Sequence, residues 1–173
     1  MTVLRILSLS ALVCHMSTST SHYLRKALYP SAFRVKRGTP ALLNPSFQKS
    51  VEDANLLYEV LLSGAFMDSA RGTLHIYDEE LASVRKLDVL EVLCEDVLPR
   101  TLPEIQRLSF QLAQHRGALR MEDFERTVLT MVFTAQQLQH ASPGRQRELW
   151  ANSLLQLYKA IKGDLLSESR TKY

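Results

Sequence analysis

The stretch EDFERTVLTMVFTA, residues 122–135, decides the fold class of this chain. It opens with Glu122 and Asp123, and acidic residues suit the first turn of a helix because they complement the positive end of its dipole. Its middle, TVLTMVFTA at 127–135, is apolar nearly all round, which is typical of a helix that is buried on every side. The sequence therefore predicts a central buried helix over residues 121–140.

Apolar residues recur at spacings of three and four on both sides of that segment, and Pro, Gly and Thr mark the ends of the runs. They predict further helices over 45–63, 78–86, 88–98, 102–116 and 143–166. The stretch TLHIY (73–77) has a strand-like composition, but a lone strand has no partner, so it is predicted as loop. The predicted fold class is all-α, a single-domain bundle of about five or six helices over residues 45–166, followed by a flexible tail at 167–173.

The first helix has a plausible start signal and an apolar stripe. Asn44 is a candidate N-cap, and Pro45 would occupy the first helical position, where its missing N–H costs nothing. Apolar residues recur along it at spacings of three and four: Phe47, Val51, Ala54, Tyr58, Leu61 and Leu62. They are expected to face the core.

Two other helices carry local hydrogen-bonding signals. Thr101 and Glu104 stand in the positions of a capping box, in which a Glu side chain reaches back to the N-cap amide. Thr127, Thr130 and Thr134 lie three and four residues apart on the central helix. We interpret them as hydroxyls that bond to the carbonyl one turn earlier, rather than as a polar groove for a ligand.

Charge is unevenly distributed along the chain. Residues 1–37 contain six Lys and Arg residues and no acid, whereas residues 38–173 contain the remaining 15 Lys and Arg residues and all 18 acids, a net charge of −3. A basic head therefore precedes a mildly acidic body. The overall basic pI of the chain is not a nucleic-acid signal for the body, and no nucleic-acid partner is predicted.

The N-terminus has the order of a secretory signal peptide. Arg5 precedes the apolar run ILSLSALVC (6–14), and small residues at 17–21 supply a cleavage pattern, so residues 1–21 are predicted as the signal peptide. The alternative is a mitochondrial presequence, which is also acid-free and rich in Ser and Arg. Secretion is favoured because the apolar run comes first and most basic residues follow it. No other run reaches transmembrane length, so no membrane span is predicted after signal removal.

Residues 22–44 are predicted to be an exposed basic linker or propeptide that contains the quartet RVKR at 34–37. Arg34, Lys36 and Arg37, followed by Gly38, match the sites that furin-like proprotein convertases cut, because such proteases offer a carboxylate-lined pocket to each cation. Cleavage is predicted after Arg37. The alternative interpretation is a solvated basic loop.

The remaining residues give no catalytic pattern. Cys94 is left unpaired once Cys14 leaves with the signal peptide, and it is interpreted as a small buried hydrophobe rather than as a thiol for an intermolecular disulfide. His75, His115 and His140 lack metal-ligand spacing. Because no nucleotide-binding loop or nucleophile motif is present either, the protein is predicted not to be an enzyme, with no metal and no cofactor.

Several of these stretches resemble one protein family. DEELASVRK (78–86), EDFERTVLTMVFTA (122–135) and SLLQLYKAIKGDL (153–165) are similar to the family with sequence similarity 180. The resemblance implies a secreted protein and supplies no catalytic or ligand-binding residue to carry over.

Together these features predict a secreted, non-enzymatic helical protein that acts as an extracellular ligand or binding protein on an unknown protein partner or receptor. The alternative is an intracellular, mitochondrial structural or scaffold protein whose basic N-terminus is a presequence.

Overall fold

The longest segments of regular structure are helices, as the sequence predicts. The computed structural model describes residues 28–29, 45–115 and 117–171, with the side chains of the last helix described as far as residue 163. Within these residues the α-helices are α1 (Val51–Leu62), α2 (Glu79–Ala82), α3 (Leu87–Val92), α4 (Leu102–Gln114), α5 (Met121–His140) and α6 (Arg145–Thr171). The strands are β1 (Phe66–Met67) and β2 (Leu74–His75). The all-α prediction is confirmed.

The three long C-terminal helices form the main body of the bundle. Helix α6 packs against both α5 and α4. Phe133 of α5 and Trp150 of α6 meet edge to face, with ring centroids 6.3 Å apart, a geometry that aromatic pairs prefer. Ile105, Leu129 and Leu157 are at most 1% exposed. The predicted bounds of α5, residues 121–140, are confirmed.

Helix α1 begins later than predicted. Its N-cap is Ser50, in a reciprocal capping box with Asp53, and not Asn44. Asp53 Oδ2 also accepts the Lys49 and Ser50 N–H groups at 2.8 and 3.1 Å. The stretch from Pro45 to Ser50 stays outside the helix because a distant side chain, described below, captures its amides.

The face that α1 buries also differs from the prediction. Val60 is fully buried, and Leu56 and Leu57 pack against the core. Val51, Tyr58 and Leu62, which were expected to face inward, are 72%, 64% and 68% exposed. The predicted orientation was wrong because α1 has apolar residues on two faces, and helical spacing alone does not say which face meets the bundle.

The stretch predicted as loop at 73–77 contains a strand. Residues 74–75 pair antiparallel with 66–67, in the register Phe66 with His75 and Met67 with Leu74. The side chain of Gln136, on α5, fixes this hairpin: Nε2 donates to the Ala65 carbonyl at 2.7 Å and Oε1 accepts the Met67 N–H at 3.2 Å. The loop prediction was wrong because the partner strand is only two residues long and has no pattern of its own.

The segment between the hairpin and α4 is broken into short turns of helix. Asp78 caps α2 by accepting the Leu81 N–H at 2.9 Å, and α3 continues as a π-helical turn over Leu93–Val97. Gly72 has a φ of +79°, and a Cβ there would lie 2.7 Å from the Cys94 carbonyl oxygen. A side chain at position 72 would therefore clash with the π-helical turn.

The ends of the last long helices follow local signals. The capping box at the start of α4 is confirmed, with Glu104 Oε2 accepting the Thr101 N–H at 3.1 Å. Helix α4 ends at Gln114, and α6 continues past residue 166, where its end was predicted, to Thr171. The flexibility of the tail at 167–173 stays a prediction.

Candidate functional site: a buried polar anchor for the N-terminal segment

The predicted processing site lies outside the described residues. This applies to Arg34, Lys36, Arg37 and Gly38, which belong to the stretch 30–44. The structure does describe the residues on either side of that stretch, Leu28 and Tyr29 before it and Pro45 after it. Those flanking residues define the site.

Leu28 and Tyr29 are part of the packed structure. Tyr29 is 2% exposed and Leu28 is a partly buried residue that packs against the hydrophobic core. The Tyr29 hydroxyl lies 2.9 Å from Thr127 Oγ1 on α5. The sequence indicated an exposed linker over 22–44, but Leu28 and Tyr29 do not behave as one, because a large aromatic side chain gains more free energy by burial than by exposure.

The hydrogen bonds of Thr127 determine which hydroxyl is the donor in the Tyr29–Thr127 pair. Thr127 Oγ1 donates its single proton to the Asp123 carbonyl oxygen at 2.6 Å. A hydroxyl has one proton to donate, so the Tyr29 O–H donates to Thr127. Burial raises the pKa of the Tyr29 phenol well above its ordinary value, and the Asp123 carboxylate adds to the effect. Tyr29 therefore remains a neutral donor.

Arg126 joins the two ends of the stretch 30–44. Its side chain is fully buried, its Nη2 donates to the Pro45 carbonyl oxygen at 2.8 Å, and its guanidinium lies 5.8 Å from the centre of the Tyr29 ring. The second distance fits a cation–π contact. One guanidinium on α5 thus contacts the chain at Tyr29 and at Pro45, on either side of the stretch 30–44 that contains the predicted processing site.

The Asp123 carboxylate lies beside this guanidinium. Asp123 Oδ1 lies 3.6 Å from Arg126 Nη1, and Asp123 Oδ2 accepts from the half-exposed Arg120 at 3.0 Å. Burial lowers the pKa of Arg126, and the Asp123 carboxylate opposes that shift. An Arg side chain stays protonated in proteins, so Arg126 is a buried cation with a carboxylate beside it.

Glu125 fixes the chain just beyond Pro45. It is 3% exposed, and its two carboxylate oxygens accept the Phe47 N–H at 2.9 Å and the Gln48 N–H at 2.7 Å. These bonds hold the amides outside α1 and explain the late start of that helix. We name Tyr29, Asp123, Glu125, Arg126 and Thr127 the polar anchor.

The threonines of α5 behave as interpreted from the sequence. Thr127, Thr130 and Thr134 donate to the carbonyl oxygens four residues earlier at 2.6, 2.7 and 2.7 Å. The back-bonding prediction is confirmed. Thr127 has the additional role of accepting the Tyr29 hydroxyl, which the sequence did not indicate.

Cys94 lies in the core. It is 2% exposed on the π-helical turn, beside the buried side chains Leu93 and Val97. Burial raises the pKa of its thiol to about 12, and the charges of Glu91 and Glu95 add to the shift. A thiol that is both buried and protonated at neutral pH does not reach a partner cysteine and is not a nucleophile.

The described residues line surface grooves that are wide enough for side chains of another molecule. One, of about 610 Å³, lies between α4 and α6 and is lined by Phe110, Leu112, Leu119, Lys159 and Ala160. The other, of about 550 Å³, lies between α1 and α2 and is lined by Leu56, Glu59, Leu62, Asp78 and Leu81. Both combine apolar walls with one or more charged groups.

The histidines and acids do not converge. Among the described residues no group of three or more His, Cys, Asp or Glu side chains is placed to hold a metal ion. The His140 ring meets the Phe66 ring of the hairpin edge to face, with the ring centroids 5.6 Å apart. No helix in the described part of the chain is long and apolar enough to cross a membrane.

The polar anchor was missed by sequence reasoning, although one signal was readable. Arg126 lies three, four and seven residues before Leu129, Thr130 and Phe133, all on the buried face of α5. A charged residue on an apolar face needs a buried partner. The helix-dipole role predicted for Glu122 and Asp123 does not explain why Asp123 and Glu125 are buried.

The fold and the anchor define a class: an all-α single-domain bundle whose N-terminal segment is held against its central helix by buried polar contacts. A family model of the FAM180 family matches residues 28–165. The chain therefore belongs to the FAM180 family. The match begins at Leu28 and so includes the two residues that pack before the stretch 30–44.

One protein that is similar to this chain is human. A human protein, Protein FAM180B, is 32% identical to this chain over 116 residues, which are 66% of this chain and 63% of the relative. The chain thus spans less than two thirds of the length of that relative. No solved structure matches the chain.

Proposed function

We propose that the protein is a secreted, non-enzymatic helical protein that acts outside the cell as a ligand or binding protein and is matured by a proprotein convertase cutting after Arg37. The observation that carries the proposal is the position of the quartet RVKR. It follows a signal-like N-terminus and lies between two anchored points, Tyr29 and Pro45, that both contact Arg126. A protease can therefore cut between them without removing a contact of the polar anchor.

A binding role is favoured over a catalytic one by the way the acids are used. General acid and base groups must be within reach of a substrate. Asp123 and Glu125 are buried, and their oxygens hold arginine side chains and backbone amides. The exposed apolar side chains of α1, by contrast, are available to a protein partner, which gains affinity by burying such surface.

The test is the intact mass, measured under denaturing conditions, of the protein recovered from the medium of expressing cells. Wild type is compared with Arg34→Ala/Arg37→Ala, which removes the outer cations of the quartet. The matched control is Arg25→Ala/Lys26→Ala, which removes two cations from the same segment and leaves RVKR intact. We expect a product that begins at Gly38 from wild type and from the control, and its loss in Arg34→Ala/Arg37→Ala.

Two other results would contradict the proposal. A secreted product that begins between residues 17 and 22 in all three variants would make RVKR a solvated loop and reject maturation. Absence of the protein from the medium, with recovery in the mitochondrial fraction, would reject secretion. It would support the alternative of an intracellular helical scaffold protein with a presequence.

A further inference from the structure

Leu28 and Tyr29, on the N-terminal side of RVKR, are held by contacts with the helical body as well as by the chain. Tyr29 is 2% exposed, its hydroxyl bonds to Thr127, and its ring lies against the Arg126 guanidinium. These contacts are made to α5, which lies beyond any cut after Arg37. They do not depend on the peptide bonds between residues 30 and 44.

We propose that the surface of α5 around Arg126 and Thr127 is a peptide-binding slot whose occupant is Leu28–Tyr29 of this chain. After cleavage at Arg37, the segment before the cut stays bound in this slot as a second, non-covalent chain. The inference rests on the proposed maturation for its biological setting. The mature protein is then a two-chain complex, and the segment before RVKR is a subunit and not a discarded propeptide.

The chemistry of the slot specifies its ligand. An aromatic ring fills the buried space beside a cation, and a phenolic O–H reaches a threonine oxygen whose own proton is already donated to the Asp123 carbonyl. Phenylalanine would keep the ring contact but lose the hydrogen bond, and an aliphatic residue would lose both. The slot therefore selects a peptide with an apolar residue followed by tyrosine.

The body side of the cut is held by Glu125 and by the same Arg126. Arg126 donates to the Pro45 carbonyl, and Glu125 accepts the Phe47 and Gln48 amides. Cleavage therefore leaves a bound end on each side. Cleavage removes the covalent link between fragment and body. Binding of the fragment then becomes bimolecular, and its retention depends on the affinity of the slot.

The test cuts the chain without relying on a convertase. In the Arg34→Ala/Arg37→Ala background, residues 38–43 are replaced by the recognition sequence of a site-specific protease, and the purified protein is cut in vitro. We expect the N-terminal fragment to co-elute with the body in native gel filtration at micromolar concentration. It separates in denaturant.

Substitutions in the fragment identify the slot. Tyr29→Ala is expected to weaken retention about a hundredfold, so that the fragment elutes alone. Tyr29→Phe, which keeps the ring, is expected to weaken it about fivefold by removing one hydrogen bond. The matched control is Tyr23→Ala, a tyrosine in the same fragment, which is expected to leave co-elution unchanged.

The inference is overturned if the fragment without substitutions elutes separately from the body, or if Tyr23→Ala releases it as readily as Tyr29→Ala. If Tyr29→Ala prevents folding, retention of the Tyr29→Phe fragment is compared with retention of the unsubstituted fragment. Equal retention would exclude the hydroxyl contact and overturn the inference. Failure of the convertase to cut RVKR in cells would reject the proposed maturation and leave this measurement intact.

Discussion

Helices α1 and α5 reverse the usual relation between polarity and burial. In α5 the residues Asp123, Glu125 and Arg126 are at most 5% exposed. In α1 the side chains of Val51, Tyr58 and Leu62 are at least 64% exposed. The charged residues of one helix are thus better hidden from water than the apolar residues of the other.

The difference shows that position in the bundle outweighs composition. Helix α5 lies between α6, the hairpin and the N-terminal segment, so even its charged residues are enclosed and must find partners. Helix α1 lies at the periphery and has apolar residues on two faces, of which the bundle covers one. A folded protein tolerates exposed apolar groups more readily than unpaired buried charges.

The largest expected effect is at Arg126. Arg126→Met should lower the free energy of unfolding by about 3–5 kcal/mol, because the buried Pro45 carbonyl loses its donor and the Asp123 carboxylate loses Arg126 and keeps Arg120. Arg120→Met is the matched control, since Arg120 pairs with the same carboxylate from a side chain that is 59% exposed. It should cost less than about 1 kcal/mol. Urea unfolding followed by circular dichroism measures both; equal losses would refute a structural role for burial of the guanidinium.

A smaller effect is expected at Glu125. Glu125→Ala should cost about 2–3 kcal/mol, because the Phe47 and Gln48 amides lose a charged acceptor. Glu122→Ala removes a carboxylate from the first turn of the same helix and should cost less than about 1 kcal/mol through the helix dipole. Hydrogen exchange of the two amides gives a direct measurement. If their protection is the same in Glu125→Ala and in wild type, the bonds do not hold this segment.

The smallest effect is expected on the outer face of α1. Tyr58→Ser should change the free energy of unfolding by no more than about 0.5 kcal/mol, because the side chain is largely in water. Val60→Ala, two residues away on the buried face, should cost about 2 kcal/mol. The same denaturation experiment compares them. A large loss from Tyr58→Ser would mean that the outer face is covered by another part of the molecule.

Features whose causes lie within one helical turn could be predicted from the sequence. The limits of α5, the Thr101–Glu104 capping box and the back-bonding threonines all follow from neighbours in sequence. The start of α1 could not be predicted, because Asn44–Pro45 is a sound local signal that is overruled by Glu125, 78 residues from Phe47. The hairpin was missed for a similar reason, since Gln136 holds it from α5.

The candidate site, too, could be predicted only in part from the sequence. Composition alone made RVKR a candidate for cleavage, but it gave no reason for Tyr29 to differ from Tyr23, six positions earlier in the same basic segment. The hydrogen bond from Tyr29 to Thr127 shows the role of Tyr29, and it joins residues 98 apart in the sequence. Long-range pairings of this kind leave no periodic pattern to read.

Arg126 also takes the place that a cross-link has in many small extracellular domains. By holding Tyr29 and Pro45 it fixes the two ends of the stretch 30–44 in the folded protein, but these contacts, unlike a disulfide, are lost on unfolding and do not restrict the unfolded chain. Thiol reductants and disulfide isomerases act on sulfur and not on a guanidinium. With Cys94 buried in the core, the contacts made by Arg126 are indifferent to redox potential, and the domain can keep its shape in reducing and oxidising compartments alike.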